Sequence, residues 1–146
     1  NRDDWLVQQN PFSADEDPIV LLPALRPDFA IFHGLKADRQ GNVYLGIRRE
    51  LFAMAGAARQ SLVTVEEIVE GNLLEDDATA AGTLSSIYVG GVAEARHGAW
   101  PLPFWNEYAT DDAHMQGYVA GARSEEGFAD YLRAHVLGES AQAAAE

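Results

Sequence analysis

The chain has 146 residues and a mass of 15.9 kDa, enough for one domain with a real core. Ten basic against 23 acidic residues give a formal charge of −13, which sets the chain against nucleic-acid phosphates and anionic membrane surfaces. The absence of cysteine excludes a disulfide framework, a catalytic thiol and a thiolate zinc site, and no apolar run approaches the roughly 20 residues of a membrane span. No secretory signal is visible, so the expected location is the cytoplasm, with neither nucleic acid nor membrane as partner.

In chain order, residues 1–17 are charged and amide-rich and predict an irregular lead-in, docked through Trp5 and Phe12. The apolar run 19–23 is strand-like and stops at Pro23. After the Arg26-Pro27-Asp28 turn signal, 29–33 is a second short apolar run, a buried strand ending in His33. A polar loop follows over 36–42, then a short strand over 43–46. Leu51, Phe52, Met54, Ala55 and Ala58 recur at helical spacing and predict a helix over 48–59. The β-branched run 61–65 reads as a strand, and 66–70 either turns into a short helix or continues extended. An acidic loop with a turn of helix is expected over 71–82, and a strand over 85–95 bent at Gly90-Gly91. The aromatic and proline-rich stretch 96–105 is a loop. Asp111-Asp112 cap a helix over 113–122. Ser124 caps a second, with Glu125 and Glu126 in its first turn and Gly138 at its end. Residues 139–146 form a frayed tail. Strands alternating with helices predict a single α/β domain over 1–146, an open, largely parallel sheet flanked by helices.

The residues that carry chemistry are few. Asp111, Asp112 and His114 match no metal motif, and Asp111 is better used as a helix cap, so no metal site is expected. His135 sits near a helix C-terminus, where an imidazolium is favoured. His33 ends a strand, where open α/β sheets bind ligands, but a satisfied near-core histidine is an equal reading. Glu66 and Glu67 are neighbours whose side chains would leave a strand on opposite faces, so they make a poor dyad and read by default as helix-start acids. There is no P-loop, no G-x-G-x-x-G and no G-x-S-x-G elbow. Asp38 reads as a structural turn residue beside Gly41-Asn42. Lys36, Arg39, Arg48 and Arg49 gather four of the ten cations into a short span, either as a site for an anionic ligand or as surface charge offsetting acids.

Three segments carry a resemblance. Pro23 to His33 has the pattern P-A-L-x-P-D leading into an apolar strand ending in His. Ala37 to Asn42 has A-D-x-x-G-N, and Val63 to Val69 has V-T-V-E-E-I-V. In this order and spacing they resemble the later part of the A-type (alpha) subunit of family I coenzyme A transferases, the glutaconate and 3-oxoacid group. Residues 91–101 resemble the strand and G-A-x-P loop near that subunit's end, with Trp100 where His is usual. The resemblance covers roughly residues 10 to 120.

The resemblance implies the CoA-transferase (NagB/RpiA-like) fold and a partial subunit, its C-terminal half, with the start at Asn1 expected to be a cut or an omission. It implies CoA transfer between an acyl-CoA and a carboxylic acid through a glutamyl-CoA thioester, in a hetero-oligomer with a B-type subunit that holds the nucleophile. No catalytic residue is therefore expected in this chain, and no permanently bound cofactor; acyl-CoA is a substrate. His33, Lys36, Arg39 and Arg48 are the expected CoA-binding residues. Two alternatives stand beside this: a ring-opening hydrolase of cyclic CoA thioesters in steroid or aromatic catabolism, and a non-catalytic scaffold or interaction domain. The aromatics Trp100, Phe104, Trp105 and Tyr108 either line an apolar acyl pocket or partner interface, or pack as core.

Overall fold

Two ten-residue strands lying side by side organise the first part of the molecule. A computed structural model describes residues 4–137. The chain divides into two compact units, Asn1–Ala95 and Arg96–Glu146.

In the first unit, β1 (Leu6–Gln9) and β2 (Pro18–Leu21) form an antiparallel hairpin. This corrects the irregular lead-in: the pairing sets Leu6 opposite Leu21 and Gln9 opposite Pro18. Asn10 and Gln9 side chains bond Asp17 across its neck. Phe12 is not docked, being 97% exposed.

The main sheet has the order β6-β4-β3-β5-β7, with β3 (Phe29–Asp38), β4 (Val43–Tyr44), β5 (Gln60–Val69), β6 (Thr83–Leu84) and β7 (Val89–Glu94). β3, β5 and β7 are parallel, while β4 and β6 add an antiparallel edge. The open α/β sheet is thus present, in mixed form, with one helix of this unit, α1, packed on it. Helix α1 (Arg49–Ala57) connects β4 to β5. Arg59 N and Gln60 N then donate to the Pro27 and Asp28 carbonyls at 3.0 and 3.2 Å, returning the chain to the foot of β3.

Three strand limits differ from expectation. Lys36, Ala37 and Asp38 belong to β3 rather than to the loop over 36–42, because β5 pairs with them on one side and β4 with Lys36 and Ala37 on the other. Of the two readings for 66–70, the extended one holds: Glu66 and Glu67 continue β5 and do not start a helix. The strand over 85–95 begins only at Val89, after a 3-10 turn, Ser86–Tyr88. The expected bend at Gly90 is a register shift: Val89 pairs with Ser61 but Gly91 with Leu62.

The core of this unit is Val43, Leu45, Ala55, Val63, Val65 and Leu84, with Phe32, Leu51, Phe52 and Val92 packed against it. Gly34 lets β3 come close to this cluster, since a Cβ there would meet Val43 Cγ1 at 2.7 Å.

The second unit carries helices α2 (Asp112–Gly121) and α3 (Glu125–His135), joined by a short turn. Both caps are as expected: the Asp111 carboxylate accepts from His114 N at 2.9 Å and Ser124 Oγ from Gly127 N at 3.1 Å. Gly138 and the tail expected over 139–146 lie outside the described residues. No helix among the described residues is long and apolar enough to cross a membrane.

Candidate functional site

The β3–β4 turn is the most heavily bonded feature of the first unit. Asp38, 3% exposed, accepts from Gln40 N and Asn42 N at Oδ1, both at 2.9 Å, and from Asn42 Nδ2 and Leu73 N at Oδ2, at 2.8 and 3.0 Å. Burial alone would raise its pKa. The side-chain bond from Asn42 and the backbone N–H groups of Leu73, Asn42 and Gln40 outweigh that and hold it below the ordinary carboxylate value. Asn42 continues the network by accepting from Ser86 N at 2.9 Å. Asp38 is therefore the structural turn residue the sequence suggests, and Gly41, at φ +87°, completes the turn where a side chain would be strained.

Beside this turn lies an open cleft of about 520 Å³, lined by Arg39, Gln40, Gly41, Ser86, Gly90 and Gly91, with Ile68 and Val92 as apolar wall. Three glycines leave backbone bare there, and Arg39 supplies positive charge. Arg39 Nε bonds Glu70 Oε1 at 2.6 Å, with both side chains more than two-thirds exposed. Such a pair is worth at most about 1 kcal/mol, so Arg39 can exchange Glu70 for an anionic ligand at little cost.

The other residues expected at a ligand have different surroundings. Lys36 Nζ lies 5.6 Å from the centre of the Tyr44 ring. Arg48 precedes α1, with Nη1 3.9 Å from Glu50. His33 stands on β3 with Nδ1 2.8 Å from Thr64 Oγ1 and Nε2 2.7 Å from Glu66 Oε1, and the His33 and Glu66 side chains are 11% and 14% exposed. The neutral tautomer with its proton on Nε2 satisfies all three groups: Nε2–H donates to the carboxylate and the Thr64 hydroxyl donates to Nδ1. Of the four, only Arg39 lines the cleft.

Thr64 and Glu66 as partners of His33 escape residue-by-residue reading. The available signal is their spacing: residues two apart on a strand share a face. Glu67, on the other face, is exposed.

In the second unit, Phe104 is 5% exposed and serves as core, paired with Tyr108. Tyr108 Oη accepts from Ala99 N at 3.0 Å, and Trp100 Nε1 donates to Asp111 at 3.2 Å. Trp100 packs against His114 with ring centres 4.2 Å apart and planes inclined at 55°, and His114 Nε2 lies 2.9 Å from Tyr131 Oη. His135 packs edge-on against His114 at 4.8 Å. The aromatic loop and the two helices thus share one stack of rings. Among the described residues, no group of three or more His, Asp or Glu is placed to hold a metal ion.

This open α/β sheet matches the fold of a CoA-transferase of known structure. Glutaconate CoA-transferase from Acidaminococcus fermentans superposes with a TM-score of 0.83 at 26% identity, over 92% of this chain and 42% of that one. A variant of the decarboxylase AibA/AibB superposes at 0.74 and 27% identity, over 90% of this chain and 47% of that one.

In sequence the chain is homologous to part of the A-type subunits of CoA transferases. It is 31% identical over 135 residues to the A-type subunit of 3-oxoadipate CoA-transferase from Pseudomonas knackmussii, covering 88% of this chain and 44% of that one. It is 28% identical over 129 residues to the A-type subunit of the A. fermentans glutaconate CoA-transferase, covering 88% and 40%. The IpdA subunit of the cholesterol ring-cleaving hydrolase of Rhodococcus jostii is 26% identical over 129 residues, covering 86% and 44%. The chain thus spans less than half the length of the curated relatives it matches. No family model matches it.

Proposed function

We propose that this chain is the C-terminal half of an A-type CoA-transferase subunit and works with a B-type subunit in the cytoplasm. The carrying observation is the joint match in sequence and fold to A-type relatives over about nine-tenths of the chain. In the reaction, a glutamate carboxylate attacks the acyl-CoA carbonyl and expels the CoA thiolate, leaving a mixed anhydride. The thiolate attacks the glutamyl carbonyl, releasing the first carboxylic acid and forming a glutamyl-CoA thioester. The acceptor carboxylate and the thiolate repeat both steps in reverse, which restores the glutamate.

We place that glutamate outside residues 1–146. Glu66 is engaged by His33, and Asp38 is saturated by donors. Arg39, at the glycine-lined cleft, is the contact for a CoA phosphate, with Lys36 and Arg48 as further cations on this part of the chain and His33 as their strand neighbour.

The test is to incubate the full assembly with acyl-CoA, trap the adduct and map it by peptide mass. A glutamyl-CoA adduct outside these residues is expected, and an adduct on Glu66 or Glu67 overturns the assignment. The likeness to the IpdA subunit supports a second reading, hydrolysis of a cyclic CoA thioester. Ring opening of such a thioester with no transfer of CoA to an acceptor acid would favour it.

A further inference from the structure

A lone pair of antiparallel strands is marginal in water and needs a third strand or a packed face to be stable. Among the described residues, β1 and β2 pair only with each other, and none of their residues is buried. Neighbouring residues on a strand point to opposite faces, so the register puts Leu6 and Leu21 on one face and Val7 and Val20 on the other. They are 64%, 41%, 72% and 54% exposed. The hairpin is thus apolar and open on both faces, which suits a slot that grips it from two sides.

Its tip holds one more apolar group in a fixed place. Gln9 Nε2 donates to the Asp15 carbonyl at 2.6 Å, Asn10 Nδ2 to Asp17 Oδ2 at 2.7 Å, and Phe12 N to Asn10 Oδ1 at 3.0 Å. These bonds brace the loop that bears Phe12, whose ring stands almost wholly in solvent. A large aromatic on a preformed loop loses little freedom on binding, which is the character of an interface anchor. The charge around it has one sign. From Asp4 to Leu25 there are four carboxylates, Asp4, Asp15, Glu16 and Asp17, and no Lys, Arg or His. The last three sit at the tip and are exposed.

We propose that the β1–β2 hairpin is a docking arm that inserts into an apolar slot rimmed by lysine and arginine on the B-type subunit. The inference rests on the reading of the chain as part of an A-type subunit that works with a B-type one. Charge selects the occupant. A second copy would set the same carboxylates against these, and like charges facing each other across an interface oppose association. A different chain with a basic rim is steered to the tip by its field and anchored there by Phe12.

The absence of cysteine in these residues lets one thiol report on the tip. Ala14→Cys, at an exposed position two residues from Phe12, is introduced into the full-length gene product and the two-subunit assembly is purified. Labelling at residue 14 is read by peptide mass. The native rate is expected to be at least roughly tenfold slower than the rate in denaturant. Phe12→Ala, made in the natural chain, should raise the concentration at which A-type and B-type subunits separate by about tenfold or more, read by light scattering, with an unchanged circular dichroism spectrum. Salt at about 0.5 M should raise it as well, and less so in the double variant Asp15→Asn, Glu16→Gln.

Native labelling as fast as in denaturant overturns the proposal, and so does a separation that ignores salt. Protection at residue 14 with no effect of Phe12→Ala on subunit separation assigns the cover to the rest of the same polypeptide and overturns it too. So does a Phe12→Ala variant in which A-type copies part from one another while each keeps its B-type partner, the mark of a second copy in the slot. These measurements need no substrate. An assembly that transfers CoA with an unprotected tip refutes the arm and leaves the proposed function standing, whereas a protected tip in an assembly without transfer activity refutes the proposed function alone.

Discussion

His33 Nε2 and Glu66 Oε1 lie 2.7 Å apart and tie β3 to β5 through side chains as well as through the parallel ladder. Thr64 holds the other ring nitrogen, so the imidazole is fixed at both ends. The pair is nearly buried, so removing one partner takes a short polar contact from the other. Glu66→Ala should cost about 2–4 kcal/mol, whereas Glu66→Gln, which still accepts from Nε2–H, should cost about 1 kcal/mol or less. Urea unfolding of both variants checks this. Equal costs would show that the bond to His33 contributes nothing specific.

Asp38 makes a prediction with a pH sign. Its pKa in the folded protein is lowered from the ordinary value of 3.8. The stability it contributes is therefore complete above that value and is lost as pH falls through the lower folded one. Asp38→Asn keeps the volume but loses the charge and one acceptor, and should cost about 2–4 kcal/mol near neutral pH. Denaturant midpoints of the two proteins, measured from pH 7 down to about pH 3, should converge on the acid side. A gap that stays constant through that range contradicts the charged hub.

Much of this architecture is legible locally. Ser124 and Asp111 announce their helices because a cap is settled within three residues. The glycine bend at Gly90 and the turn at Asp38 to Asn42 are likewise local. What escapes reading depends on partners far along the chain. Lys36 to Asp38 look like loop, yet become strand because β4 and β5 flank them. Glu66 looks like a helix start until the register of β5 on β3 brings it to His33, 33 residues away. The hairpin of β1 and β2 escapes because its apolar residues do not alternate: Leu6 and Val7, like Val20 and Leu21, are adjacent and all exposed. The motifs at 23–33, 37–42 and 63–69 carry the resemblance, but not which of the expected cations lines the cleft.

Two glycines should respond in opposite directions to the same change. Gly56 lies within α1, and a Cβ built there meets nothing within 4 Å. Gly56→Ala should stabilise by about 0.5–1 kcal/mol, because alanine loses less backbone freedom in a helix. At Gly82 a Cβ would sit 2.8 Å from Tyr44 Cε2 and 2.9 Å from Gly46 Cα. Gly46 cannot move away freely, since Leu45 N and Gly46 N both donate to the Gly82 carbonyl, at 2.8 and 3.1 Å. Gly82→Ala should cost about 1–3 kcal/mol. Thermal melts of the two variants give the comparison, and a neutral Gly82→Ala would refute the close approach of 82 to 46.

The caps of the second unit allow the most local test. Ser124 Oγ satisfies Gly127 N, while Glu125 and Glu126 add negative charge to the positive end of α3. Ser124→Ala leaves that amide to water and should cost about 1 kcal/mol, while Ser124→Asp, which caps as well, should cost nearly nothing. Asp111 binds both the His114 amide and the Trp100 indole, so its loss touches the aromatic stack as well as α2. Asp111→Ser keeps an acceptor for the amide but is too short to hold the indole. It should retain α2 by circular dichroism and shift the tryptophan emission, whereas Asp111→Ala should reduce helicity too. Unchanged tryptophan emission in both variants would show that the Trp100 indole does not depend on Asp111.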